Sequence, residues 1–485
     1  MAGHDTSKKH TDFMSYTLAK WAADLTYDDL SPEAIHTAKL FLFDSFGCAL
    51  GGSQQHDVKI MLDYAKSLGG KRAEKQPCTV IGSGYRTDPV MAALLNALCI
   101  RAMDYNDIYW KADPSHPSDI IPAALSICEM KPAGSEAAAI GAGKALILGT
   151  VIAYEIEMRL CEFGEPGVRE YGWHHATLTS IASPIVAGRM MGLSPEQIQQ
   201  AVGISAAPSM CLGAVTAGKL TNMKNTVDPM ATRAGVEAAM LAARGYSGPE
   251  HLIDGKEGLV HCFGKFGGTF HLEMLTDDLP LDSGGHYKIL DCGMKSFPIE
   301  ALSHAPLTAM MKIVKEHEVN PDDVTEIRVE VIARAADILG DPAKYRPTSK
   351  ETADHSLPYS LAVGLVDGMV TPLQFKDERI GDPTLPGVMD KIKVVPNEEF
   401  EKLFPKFQPS QVTITLKDGQ FYQQRVDVPK GDPRDPMTEE EIAVKFDALG
   451  RGVVGKKTCR QLREVIMGME KQKTLKKLFE LMTGK

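Results

Sequence analysis

The sequence predicts a mainly α protein: a large all-helical domain built from both chain ends, with a smaller α+β domain inserted near the C-terminus. Three observations carry this reading. Residues 11 to about 275 run as successive apolar segments opened by helix-capping residues. Segments alternating apolar and polar residues, the period of half-buried strands, appear only after about residue 290. A breaker-rich linker then leads into capped helical sequence at the C-terminus. The boundaries that follow are 1–290 with 431–485 for the helical domain and 291–430 for the insert. A length of 485 residues suits two domains, because single domains usually hold ~100–200 residues.

In chain order, Ser31-Pro32-Glu33 is an N-cap with proline at the first helical position, opening a helix that carries Ala34, Ile35, Ala38, Leu42 and Phe43. The stretches 89–103, 137–160, 180–191 and 234–243 are dense in Ala, Leu, Ile and Met, as in buried helices. Ser194 and Gln197 form a capping box. In the insert, 326–332 and 411–416 alternate as strands, and 411–416 turns through Asp418-Gly419 into 420–426 as a hairpin. Helices at 301–316 and 356–367 lie between. The breakers of 431–436 and the capping box Thr438/Glu441 then return the chain to helix.

A net charge of −10 argues against nucleic acid or an anionic membrane as the main partner. No apolar run approaches the ~18 residues of a membrane span. The first sixteen residues lack an apolar core, and the first arginine is Arg72, so neither a secretory nor a mitochondrial leader is expected. Nine cysteines without a Cys-x-x-Cys pair suggest reduced thiols in a cytoplasmic protein and lack the spacing of a zinc or iron–sulfur site. Gly141-Ala-Gly-Lys144 is not a phosphate loop, because Ala138 and Ala145 replace the glycine and the Ser/Thr it needs.

The densest chemistry lies in residues 103–119. Asp104 and Asp107 stand three apart at the end of an apolar helical run, spaced to share one helix face if the helix continues. Tyr109 and Trp110 follow, and His116 is framed by two prolines. Acids, aromatics and a histidine on a polar loop are the materials of a proton-transfer site. Further on come Tyr171-Gly172-Trp173-His174-His175, then Met223-Lys224-Asn225, then Lys295-Ser296-Phe297-Pro298-Ile299-Glu300, then Asp354-His355-Ser356-Leu357-Pro358-Tyr359. In this order and spacing the five segments resemble the MmgE/PrpD family over nearly the whole chain.

The resemblance implies a lid-like insert, a homodimer, and a lyase that works on a small di- or tricarboxylate without metal or organic cofactor. Dehydration of 2-methylcitrate or a related tertiary hydroxy acid is the leading expectation. cis-Aconitate decarboxylation, an epimerase or isomerase, and a non-catalytic paralogue are the alternatives. It further implies catalytic roles for Asp104, His116, His174, Lys224 and Lys295. Asp107, His175, Glu300, His355 and Tyr359 are the expected substrate-binding residues, with Arg233 and Asp354 as lesser candidates. A one-residue ambiguity leaves His174 and His175 as rivals. Glu300 gives its segment a dehydratase-like character, whereas Ile108 departs from the small polar residue the family often carries there.

Overall fold

In the computed structural model of the protein, residues 9–69, 75–217 and 220–484 are described. The first eight residues and Arg72, used above to read the N-terminus, lie outside them.

Helices build the larger core. Four of them carry the site: α1 (Pro89–Arg101), α2 (Ala142–Glu162), α3 (Ala176–Met191) and α4 (Met223–Ala242). Each is buried on most sides. One continuous core runs from Leu18 through these helices to Leu462, Leu478 and Met482, so both chain ends contribute. The expected caps at Ser31, Ser194 and Thr438 each accept a hydrogen bond from the third helical N–H. The helical stretch expected at 137–160 is interrupted: Gly141 takes φ 93 between a short helix, Glu136–Ile140, and α2.

A second core spans Ile299 to Val426. Its four-stranded sheet runs in the order Phe421–Val426, Ser410–Leu416, Val324–Val331, Ile392–Pro396. The hairpin turns at Gly419, with φ 85. The helices His304–Glu316 and Leu357–Asp367 belong to the same core. Periodicity did not reveal Ile392–Pro396, a short strand that pairs in parallel with Val324–Val331.

Two devices join the cores where the site lies. A small antiparallel patch sets Asp107–Trp110 beside Gly293–Met294, pairing Asp107 with Met294 just before Lys295. On the returning C-terminal helix, Glu439–Val454, the buried Lys445 bonds the carbonyls of Tyr105 (2.5 Å) and Lys295 (2.9 Å) and pairs with Asp44 (2.6 Å). Among the described residues, no helix is long and apolar enough to cross a membrane.

α4 packs along both α1 and α3. At Gly235 a β-carbon would fall 2.6 Å from the Pro184 nitrogen of α3, so only glycine permits this approach. Gly235→Ala should lower unfolding stability by about 1–3 kcal/mol, the usual cost of overpacking a close contact, read from urea denaturation with an unchanged slope. An unaffected midpoint would show that the helices can separate freely here.

Candidate active site

The site is organised around Asp104. α1 ends at Arg101, and the chain turns so that Asp104 adopts φ 51, a left-handed conformation that aspartate tolerates better than most residues. Asp107 then opens a strand. The expected continuation of the helix, with both carboxylates on one face, is therefore incorrect. The ladder to Gly293–Met294 requires extended backbone at Asp107 and leaves the two acids with different partners.

The Asp104 carboxylate is bonded by Arg101 Nη1 at 2.5 Å and Lys295 Nζ at 2.6 Å on Oδ1, and by Lys224 Nζ at 3.0 Å on Oδ2. Lys224 stands at the start of α4, Lys295 directly after the strand paired with Asp107. All four side chains are buried. Burial pushes the Asp104 carboxyl up, but Lys224, Lys295 and Arg101 outweigh it and hold it well below the usual carboxylate range. Burial also lowers Lys295, against the pull of Asp104. Asp354 lies 3.5 Å from Lys224 and 2.9 Å from Lys350, and 2.7 Å from His355 Nδ1. Burial opposes its ionisation, but Lys224 and Lys350 hold it low as well. Arg101, Lys224, Lys295 and Lys350 thus face the ionised Asp104 and Asp354, with ionised Asp228 also acting on Arg101, and cations remain in excess inside an acidic protein. His355 is lowered to about 4 by burial and then by Lys224. Ser356, not His355, caps the following helix.

Asp107 is a supporting group here. Its carboxylate accepts from Ser118 N (2.8 Å) and Ser118 Oγ (2.5 Å), and burial raises it to about 6. Its carbonyl lies 2.7 Å from His116 Nδ1. A carbonyl only accepts, so His116 Nδ1 carries the proton and Nε2 keeps the lone pair. Burial, then Arg101 and Lys295, hold His116 well below the usual imidazole range, so it is neutral at pH 7. The His175 ring meets His116 edge-on at 5.7 Å, and the His174 ring lies against His175 at 3.9 Å. His174 Nδ1 accepts the Ala176 N–H at 3.1 Å. Of the two rivals, His175 is the one brought to His116.

Sequence reading missed several contributors. Glu157, buried in α2, accepts from Ser115 Oγ at 2.5 Å and Thr179 Oγ1 at 2.9 Å, tying the His116 loop to the first turns of α3 beyond His175. Arg101, Asp228 and Lys445 are further buried charges that a helical pattern would place as ordinary surface residues. Glu300 caps a short turn through Leu302 N (2.7 Å), and burial raises its carboxyl despite Lys295 nearby. Tyr359 lies apart: its hydroxyl donates to the Gln374 carbonyl within the inserted core. Arg233 points outward, 3.9 Å from Glu237, and is not among the buried cluster.

Two groups among the described residues have donor atoms close enough to surround a metal: His174, His175 and Asp228, and Asp104, Asp354 and His355. In each group one donor is already engaged. The His174 Nδ1 lone pair is taken by the Ala176 amide, and the oxygens of Asp104 are taken by three cations.

Burial raises Glu157 to about 8 against the pull of its two hydroxyl donors. The folded state therefore holds this proton more tightly than the unfolded chain. The resulting stability is complete below the ordinary glutamate range and is lost as pH rises through about 8. Glu157→Gln mimics the protonated form. Urea denaturation at about pH 6 and about pH 9 should show the wild type losing more stability with rising pH than the variant; equal losses would place an ionised carboxylate in the fold.

The MmgE/PrpD N-terminal domain matches residues 16–268, and the MmgE/PrpD C-terminal domain matches residues 297–471. The chain is 23% identical over 476 residues to a cis-aconitate decarboxylase of Aspergillus terreus, covering 96% of this chain and 95% of the relative. It is 25% identical over 479 residues to a mitochondrial 2-methylcitrate dehydratase of Yarrowia lipolytica, covering 95% and 88%. To a 2-methylcitrate dehydratase of Salmonella typhi it is 25% identical over 397 residues, covering 80% and 77%. The chain belongs to the MmgE/PrpD family.

Proposed function

We propose that the protein is a lyase that dehydrates 2-methylcitrate, or a closely related tertiary hydroxy tricarboxylate, to a cis-aconitate-type alkene by acid–base chemistry carried by its own side chains. The observation that carries this reading is the pair of buried lysines from distant segments meeting on opposite oxygens of Asp104, with neutral His116 close by. A guest carboxylate would share Lys224 and Lys295 with Asp104. Their charge would stabilise the electron density that builds on that carboxylate as the neighbouring C–H bond ionises, typically the largest electrostatic contribution in such reactions.

His116 Nε2 would accept the carbon-bound proton. The electron pair left behind forms the double bond and expels the hydroxyl, which leaves as water after taking a proton from an acid. Glu300, which burial raises beside Lys295, would be that acid. The names of the Y. lipolytica and S. typhi relatives support dehydration. A second reading, decarboxylation of cis-aconitate, is supported by the name of the A. terreus relative. It would use the same lysines to stabilise the carbanion left by carbon dioxide. A cytoplasmic homodimer remains part of this proposal.

Purified protein supplied with 2-methylcitrate, citrate or cis-aconitate separates the readings. Ultraviolet absorbance should rise with the hydroxy acids if an alkene forms, whereas carbon dioxide release from cis-aconitate would favour the second. No turnover of any of them by folded protein would contradict both. His116→Gln should reduce kcat by about 10²–10⁴-fold, the usual worth of one positioned acid–base group, with the fold intact by circular dichroism. Because a base must be unprotonated and burial lowers His116, kcat/KM of the wild type should hold down through pH 6.5 and fall only below it. An acid limb centred above pH 6.5 would assign the base to another group.

A further inference from the structure

Lys224 and Asp228 stand four apart in α4 and therefore face the same way, one turn apart. Lys224 reaches Asp104, while Asp228 Oδ1 lies 3.3 Å from His175 Nε2 and 4.0 Å from His174 Nδ1. Asp228 is 1% exposed, and neither of its oxygens accepts a well-aligned hydrogen bond among the described residues. A buried carboxylate left with imidazoles as its closest partners costs several kcal/mol of hydration, and nothing in the packing of α4 calls for it. Both His175 nitrogens likewise lack an aligned partner. Since Nε2 faces Asp228, Nδ1 is the atom free to meet a guest molecule.

We propose that Asp228 is a positioning residue: it holds the His175 ring by Nε2, fixes which nitrogen carries the proton, and presents Nδ1 for proton exchange alongside His116. The proposal rests on the reading of His116 and His175 as the proton-handling pair. One helix then sets both halves of the chemistry, with Lys224 placing the carboxylate-binding charge and Asp228 the imidazole. Other ionisable groups acting on Asp228, His175 and His116 include Arg101 from α1, Lys295, Asp104, Asp113, Asp119 beside the His116 loop, Glu157 from α2, and His174. Burial opposes the charge on Asp228, yet His175, His174 and Arg101 keep it ionised. Because His174 Nδ1 is already an acceptor for Ala176, it cannot donate to Asp228, which leaves His175 as the ring that is held.

The test uses full-length protein labelled with nitrogen-15 in histidine, as wild type, Asp228→Asn and Asp228→Glu, with His175→Gln to assign the resonance. In the wild type, neutral His175 should carry its proton on Nε2. In Asp228→Asn this preference should be lost, while the His355 signals stay in place. With an active substrate, kcat should drop at least about tenfold in Asp228→Asn, KM should change little, and Asp228→Glu should recover part of the loss. An unchanged His175 tautomer in Asp228→Asn would overturn the proposal, even if the variant were less stable. If the wild type turned over none of the acids tried, the lyase reading would fail, yet the tautomer measurement would still decide whether Asp228 holds the ring.

Discussion

A single carboxylate, Asp104, gathers ammonium groups from two remote parts of the chain and a guanidinium from the preceding helix. A buried ion pair is weak evidence for stability, because desolvation of both charges offsets most of their attraction. Three cations on one carboxylate therefore need another justification. They form a preorganised anion cradle whose positive charge exceeds what Asp104 and Asp354 neutralise. In the proposed reaction a polycarboxylate would supply the missing negative charge, which would reconcile an acidic protein with an anionic substrate. The left-handed turn at Asp104 points the same way, since sparsely populated backbone conformations tend to persist where function requires them.

The rest of the fold keeps that cradle in register. The short ladder between Asp107–Trp110 and Gly293–Met294 sets Lys295 beside the Asp104 turn. Lys445, arriving from the C-terminal helix, fastens the Tyr105 and Lys295 carbonyls together, so the returning chain end locks the junction of the two cores. Glu157 fastens the His116 loop to α3 through two hydroxyls. These groups touch no substrate in the proposed chemistry. They hold the groups that would, and catalysis by fixed charge depends on such rigidity.

Much of this was legible in the sequence, for identifiable reasons. The all-helical body and the hairpin of the insert follow from caps, apolar density and an Asp-Gly turn, all local signals. Asp104 and His116 stand out as an acid and a histidine on a polar, proline-framed segment, whereas Lys224 and Lys295 follow from the family resemblance. The Asp104–Asp107 segment misled because helical spacing continues past Arg101, while the strand that claims Asp107 is imposed by residues almost two hundred positions away. Glu157, Asp228 and Lys445 escaped notice because their helices read as amphipathic or uniformly apolar, and only packing shows that these charges face inward. Tyr359 followed from a motif match alone. A phenol in an apolar helix serves the core as readily as a site, and its hydroxyl is used by Gln374.

In the proposed reaction Lys224 and Lys295 jointly hold a tricarboxylate. Calorimetric titration with tricarballylate, which lacks the hydroxyl needed for elimination, tests it without requiring turnover. The account predicts one site per chain in the wild type, affinity that weakens with added salt, and a loss of at least about tenfold in Lys224→Gln and in Lys295→Gln. Equal affinity in the wild type and in both folded variants would contradict it.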